Sequence, residues 1–203
     1  DPDNGNPLWY MDEKDANDKL TGKRVTTSDY ASANYYYVNK SSLPKVYGGF
    51  NTSLSWKGFD LSAIFAYSIG GYIYNRDITM ILHNGSLEGR DWSTEILKRW
   101  TPENRYTDVP ALSTTSNNWN SASTRFLQNN SYMRLKNLTL SYDLPKQWIS
   151  KLALSSVQVF VQGDNLFTIH RNQGLDPEQG ITGITYYRYP AMRTISGGIN
   201  LSF

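Results

Sequence analysis

Apolar and polar residues alternate with a period of two along several stretches of the chain, which is the signature of strands with one greasy and one polar face. The last eleven residues show it most cleanly. Ile195, Gly197, Ile199, Leu201 and Phe203 fall on one side, and Ser196, Gly198, Asn200 and Ser202 on the other. Residues 45–74 predict a hairpin. Val46, Gly48, Phe50, Thr52, Leu54 and Trp56 share a face, Lys57-Gly58 supplies a two-residue turn, and Phe59, Leu61, Ala63, Phe65, Tyr67 and Ile69 return without a charge among them. The opposite face of the return strand, from Asp60 through Ser62, Ile64 and Ala66 to Ser68, is mixed. Further strands are predicted over 131–143 (Leu138, Leu140 and Tyr142 in phase) and 156–169 (Val157, Val159 and Val161 in phase). In 131–143 the phase is awkward upstream, because Arg134 and Lys136 share the register of Leu138. Either a bulge near Asn137 moves them to the polar side, or they lie near the rim of the apolar face.

The length of these stripes narrows the fold. From Phe59 to Ile69, at ~3.4 Å per residue and a tilt near 40°, the apolar stripe rises about 26 Å, close to the lipid-facing band of an outer-membrane barrel. Trp56 and Phe59 sit at its lower edge, with Tyr72 and Tyr74 beyond its upper edge, as an aromatic girdle would. The chain also ends on Phe203, and Ser196, Gly198, Leu201 and Phe203 fit, position by position, a pattern that resembles the C-terminal assembly signal of bacterial outer-membrane barrels. The expected fold is therefore all-β: an antiparallel transmembrane β-barrel segment with long external loops.

With the last strand ending at the periplasm, the connections at 57–58 and 144–155 are periplasmic, and those at 75–130 and 170–187 are external. The short ones fall on one side and the long ones on the other, as in such barrels. Residues 1–44 are polar, Asx-rich and Tyr-rich, and read as a further external loop region. Five strands, at about 45–57, 58–74, 131–143, 156–169 and 188–203, leave residue 1 on the outer side, where a complete single-chain barrel has an even number. The expectation is the C-terminal part of a larger barrel whose earlier strands lie elsewhere. The start of the chain shows no signal peptide.

Composition removes several classes. There are 203 residues, a net charge of +2 and no basic run, so nucleic acid is not an expected partner. Without cysteine there is no disulfide framework and no thiolate metal site. Mean hydropathy is −0.54 and no window approaches the ~18 apolar residues of a membrane helix, a test that barrels escape because half of each strand faces the lumen.

Candidate chemistry is sparse. Asp1, Asp3 and Asn6 invite a calcium loop, but Gly5 comes one position early and no Glu closes it, so turn chemistry is the better reading. Tyr35-Tyr36-Tyr37 reads as loop packing rather than a sugar platform. His83, Ser86 and Asp91 are the elements of a hydrolase constellation, yet a triad is recognised by geometry, and these read as loop residues without catalytic roles. His170 lies in no metal spacing. No catalytic, cofactor or metal residue is assigned. Asp91 is predicted to cap a helix over Trp92–Trp100, with Trp100 as its anchor. Asp164-Asn165 suits strand-end hydrogen bonding. Candidate contacts with cargo or partner are Trp92, Trp100, Trp119 and Tyr186, whose flat faces suit sugar rings.

The order of motifs resembles the C-terminal end of SusC/RagA-like TonB-dependent transporters of the Bacteroidota. The pieces are DPDNGNPLWY from Asp1, PKVYGGFNTSLSWKGFDL from Pro44, RWTPENRYTD from Arg99, SYMRLKNLTLSYDLP from Ser131, VFVQGDNLF from Val159, GLDPE from Gly174, and Tyr189–Phe203. The resemblance implies a large plugged barrel that imports glycans or peptides across the outer membrane, is covered by a SusD-like surface lipoprotein and is energised by the TonB complex. The plug and TonB-contacting segment of that family lie N-terminal to these motifs, so the chain by itself is not expected to transport. Alternatives are a small self-contained barrel with a structural or adhesive role, a barrel enzyme such as a lipid hydrolase, and a soluble β-sandwich that binds carbohydrate.

Overall fold

The computed structural model, which describes residues 1–85, 89–113, 118–150, 154–174, 176–178 and 180–203, divides into two compact units. One comprises 1–39 and 75–127, the other 40–74 and 128–203.

The first unit opens with a hairpin, β1 (Trp9–Lys14) and β2 (Leu20–Thr27), inside the region expected to be loop. The period-two signal is absent there because every residue of β2 before Thr27 is exposed, so neither face needs to be apolar. Asp1–Asn6 is a turn, with Gly5 N donating to Asp1 O at 2.8 Å and Asp3 N to Asp1 Oδ1 at 2.9 Å. Of the three adjacent tyrosines only Tyr36 packs, donating its hydroxyl to Asp12 and lying 3.9 Å beneath Arg24, whereas Tyr35 and Tyr37 are exposed.

In the second unit β3 (Val46–Trp56) and β4 (Phe59–Ile69) form the predicted hairpin. β5 (Tyr72–Asn75) follows, then α1 (Arg76–Ile81), β6 (Leu127–Asn129), β7 (Tyr132–Asp143), α2 (Lys146–Ile149), β8 (Ser156–His170), β9 (Ile184–Thr185) and β10 (Thr194–Ser202). α1 belongs to the first unit. Five strands make one antiparallel sheet in the order β10-β8-β7-β4-β3, and a small sheet has the order β6-β5-β9. The large sheet is open, with β10 and β3 at its edges.

Two strand boundaries differ from expectation. The strand over 58–74 is two strands in two sheets, because Gly70 adopts φ +89 and turns the chain away after Ile69. Tyr72 and Tyr74 therefore do not continue the outer face of β4. The last strand begins at Thr194 rather than 188; Pro190, which lacks an N–H, lies in the unpaired approach to it.

Register aligns the faces across all five strands. Residues directly opposite in an antiparallel pair share a face. Trp56, Phe59, Tyr142, Val159 and Ile199 form one row, and Leu54, Leu61, Leu140, Val161 and Gly197 the next. Thr52, Ala63, Leu138, Gly163 and Ile195 follow, and then Phe50, Phe65, Leu135 and Phe167. The other face carries Ser53, Ser62, Thr139, Gln162 and Ser196 in one row and Asn51, Ile64, Asn137, Asp164 and Thr194 in another. Much of the apolar face is uncovered: Leu54 is 67% exposed, Trp56 64% and Ile195 72%. Phe50 stacks on Phe65 at 4.7 Å, and Phe59 meets Tyr142 at 4.4 Å.

The phase conflict in β7 resolves as a bulge. Asn137 pairs with Ile64 but Leu135 pairs with Phe65, so Lys136 is the extra residue, and β8 skips Asn165 and Leu166 at the same level. The slip puts Arg134 on the polar face beside Ala66 and Thr168.

The connections at 57–58 and 144–155 leave one end of the sheet; those at 70–131 and 171–193 leave the other. Within 75–127 the expected helix over Trp92–Trp100 is a shorter 3-10 helix, Thr94–Lys98, capped by Ser93 rather than Asp91. The hydroxyl is placed to accept from Glu95 N, one residue into the turn. Leu82, Ile96, Val109 and Trp119 form this unit's core.

Candidate functional site

The polar face gathers its chemistry at the end from which the long connections leave. The bulge at Lys136 turns Arg134 inward, and the guanidinium there is 4% exposed. Its five donors form a rigid fork that a lone carboxylate cannot fill. Nη2 donates to Asp176 Oδ1 at 2.5 Å, Nη1 to Glu178 Oε2 at 2.8 Å, and Nε to Thr168 Oγ1 at 2.8 Å. Lys136 Nζ reaches both oxygens of Glu178 at 2.6 Å. Asp176 is itself only 7% exposed and accepts backbone N–H groups from Glu178 (2.9 Å) and Ala191 (2.6 Å). Burial pushes its carboxyl up, but the two backbone donors and the Arg134 guanidinium outweigh that and hold it below its ordinary value. Two cations and two anions thus close on one another, which is how buried charges are tolerated.

Beside the cluster lies a cavity of about 340 Å³. Tyr47, Ser68, Tyr72 and Tyr132 line it from the strands, and Pro177 and Ile181 from the loop after β8. Among the described residues, no Asp, Glu, Lys or Arg contributes to the lining. The loop wall is fixed from several sides: Asn130 Nδ2 donates to Pro177 O at 2.8 Å, Ser42 Oγ to Ile181 O at 2.8 Å, and Tyr74 N to Gly183 O at 2.7 Å. Lower on the same face, Asn137 Nδ2 donates to Asp164 Oδ1 at 2.8 Å, a bond in the middle of β8 rather than at the strand end expected for Asp164.

The aromatic candidates occupy different settings. Trp119, in the first unit, is 3% exposed and is part of the core. Trp100 donates its indole N–H to Pro2 O at 3.0 Å, and its ring lies against Gly5, where an added Cβ would come within 2.7 Å. Trp92 is exposed and tilts against His83 at 5.2 Å. Tyr186, in the second unit, is exposed and meets Tyr187 at 4.4 Å. His83 is buried, and that burial lowers its pKa, with a backbone hydrogen bond at Arg90 opposing the shift and the Arg90 charge adding to it. Ser86 lies outside the described residues, so no triad geometry exists to read. His170 engages Asn172 O through Nδ1 at 2.9 Å.

In the C-terminal pattern, Ser196 opposes Gln162 and Gly198 opposes Phe160 on the polar face, while Leu201 opposes Val157 on the apolar one. Phe160 lies over Gly198, where a Cβ would come within 2.8 Å of the ring. Phe203 follows the strand and is exposed. Arg134, Asp176 and Glu178 carry no functional role in the sequence reading. The only signals for them are the phase slip in β7 and the GLDPE motif, and nothing in local spacing joins the two.

No family model matches the chain. The chain is 33% identical over 166 residues to TonB-dependent receptor P3 of Formosa agariphila, an alignment that covers 76% of this chain and 16% of that protein. It is 27% identical over 168 residues to TonB-dependent receptor SusC of Bacteroides thetaiotaomicron, covering 82% of this chain and 16% of that one. A solved structure of the RagAB peptide transporter matches with a TM-score of 0.83 and 35% identity, covering 100% of this chain and 22% of the matched chain. The RagAB peptide importer in its open-open state matches at 0.82 and 33%, covering 100% and 21%. The chain thus spans 16% to 22% of these relatives' length. It is homologous to SusC/RagA-like TonB-dependent receptors over most of its own length, and those receptors are outer-membrane transporters, not enzymes.

Proposed function

We propose that this chain, homologous over most of its length to SusC/RagA-like TonB-dependent receptors, forms part of the barrel wall of such a nutrient importer. The observation that carries the reading is the five-strand apolar face, continuous from Trp56 to Ile199 and mostly uncovered, backed by a face rich in Ser, Thr, Asn, Gln and Asp. In a soluble β-sandwich the apolar face packs on a second sheet about 10 Å away. In a membrane barrel it meets lipid and the polar face lines the lumen. The edges of β3 and β10 are then completed by further strands of the same receptor, since lipid tolerates no open sheet edge. The connections at 70–131 and 171–193 lie outside the cell, where a SusD-like lipoprotein of the RagB kind covers them. Ser196, Gly198, Leu201 and Phe203 serve as the assembly signal. Cargo is a peptide or glycan, delivered through a plug and the TonB complex that engage other parts of the receptor.

Spin labels placed singly along β4 of the full-length receptor in lipid test this. Labels at Phe59, Leu61 and Phe65 are expected to be relaxed by oxygen dissolved in the bilayer, and labels at Asp60, Ser62 and Ala66 by a water-soluble nickel chelate. Uniform access to the chelate along the strand would end the membrane reading.

A further inference from the structure

We propose that Arg134 is the positioning residue of the cavity. Its guanidinium holds the segment carrying Asp176, Pro177 and Glu178 down on the polar face, and so sets the loop-side wall. The proposal rests on the reading of that face as the lining of an import path, and adds to it what shapes one recess along that path.

Three observations lead there. First, the ion cluster spans two elements that share no backbone ladder: Arg134 and Lys136 come from the bulged part of β7, and Asp176 and Glu178 from the loop after β8. Second, the residue between the two acids, Pro177, is among the most buried in the chain and lines the cavity directly. Its burial on both flanks depends on carboxylates that reach the same guanidinium. Third, charge is conserved inside the cluster. With both acids paired to Arg134 and Lys136, the adjoining cavity presents tyrosine rings, hydroxyls and backbone, and no ionised side chain among the described residues. Removing Arg134 would leave Asp176 nearly buried without its cationic partner, the costly case for a buried ion pair. The segment would relieve this by moving outward, and the wall would go with it.

The test places a cysteine at Pro177 in the full-length receptor and follows its alkylation by a water-soluble maleimide, with a cysteine at Ile149 as control. Ile149 is buried at the opposite end of the same unit. Pro177→Cys alone is expected to react slowly. Adding Arg134→Met should speed it at least tenfold, with Ile149→Cys still protected. Arg134→Lys should restore part of the protection, since an ammonium keeps the charge but not the fork. Asp176→Asn should act like Arg134→Met, and the two together should add little to either alone, as expected for partners in one cluster. Should Arg134→Met fail to assemble, Asp176→Asn and Glu178→Gln carry the test. Unchanged reactivity at 177, or equal acceleration at 149, would overturn the proposal. Failure of the import reading would show separately, in the spin-label pattern along β4, without changing the alkylation result.

Discussion

The two units put the same kinds of side chain to opposite uses. In the unit formed by 1–39 and 75–127, Leu82, Ile96, Val109 and Trp119 turn toward one another and away from solvent, as in any water-soluble protein. In the unit formed by 40–74 and 128–203, Leu54, Trp56, Val161, Ile195 and Ile199 line up in rows on the outside of a sheet. Burial in a protein core stabilises by about 25 cal/mol per Å² of apolar surface. The sheet forgoes that gain on its outer face unless something other than water covers it. On the proposed reading, the difference reflects the solvent of each unit: water around the first, hydrocarbon against one face of the second.

That contrast breaks first at Trp119. In a water-built core, Trp119→Ala should cost about 3–5 kcal/mol. Amide exchange across 75–127 should accelerate while β3, β4, β7 and β8 stay protected. A Trp119 that instead served as a sugar platform would lose binding with exchange unchanged. Next comes the sheet. Leu61→Arg puts a charge on the outer face a little above its lower edge and should cost about 1–2 kcal/mol, between the midplane and interface values for a lipid-facing charge, whereas Ser62→Arg, one residue on, should be tolerated in the lumen. Surface levels of the folded receptor and its heat-modifiable migration report both. Equal tolerance of the two would remove the distinction between the faces.

Legibility in the sequence follows the same divide. The sheet could be read because one face meets a single environment along its whole length, so alternation persists for eleven residues in β3 and again in β4. Lys57-Gly58 could be read because a two-residue hairpin demands positive φ, and both residues have it. The break at Gly70 was legible in principle from the Gly70-Gly71 pair, but the apolar pattern runs through it into Tyr72 and Ile73. The β1–β2 hairpin left no trace because β2, exposed almost throughout, needs no apolar face and so shows no pattern. The burial of Trp119 depends on residues far along the chain. The Arg134 cluster was hidden for the same reason, since Asp176 lies 42 positions away and the bulge that turns Arg134 inward could be placed only once β4 and β8 fixed the register.

pH probes the cluster from another side. Asp176 has its pKa depressed in the folded protein below the ordinary value of 3.8. A depressed carboxylate contributes stability that is fully present above its unfolded pKa and is lost as pH falls through the folded one. The loop around Pro177 should therefore stay closed from neutral pH down through mildly acidic conditions, and open only below the ordinary aspartate range. Modification of Pro177→Cys by 4,4′-dithiodipyridine, whose protonated ring keeps it reactive toward thiols at low pH and which leaves a mixed disulfide with release of thiopyridone, would follow this. Opening already between pH 6 and 5 would mean that a group other than Asp176 governs the closure.

The smallest effects belong to the tight turn at the short end of the sheet. Gly58 has φ +88, and a Cβ there would come within 3.2 Å of Asp143 O. Gly58→Ala should cost about 1–2 kcal/mol through the left-handed backbone alone. Lys57 has φ +49, a conformation that Asn adopts more readily, so Lys57→Asn should gain a few tenths of a kcal/mol, roughly the preference of such turns for Asn-Gly. It also removes the Lys57 ammonium from above the Trp56 ring, 5.0 Å away, a contact worth about 0.5–1 kcal/mol where exposed. The two terms oppose each other, and the net change in urea midpoint should be close to zero or slightly destabilising. A clear stabilisation would mean that Trp56 draws its partner from its surroundings rather than from Lys57, as an indole at the edge of a lipid-facing band does when headgroups satisfy its polar end.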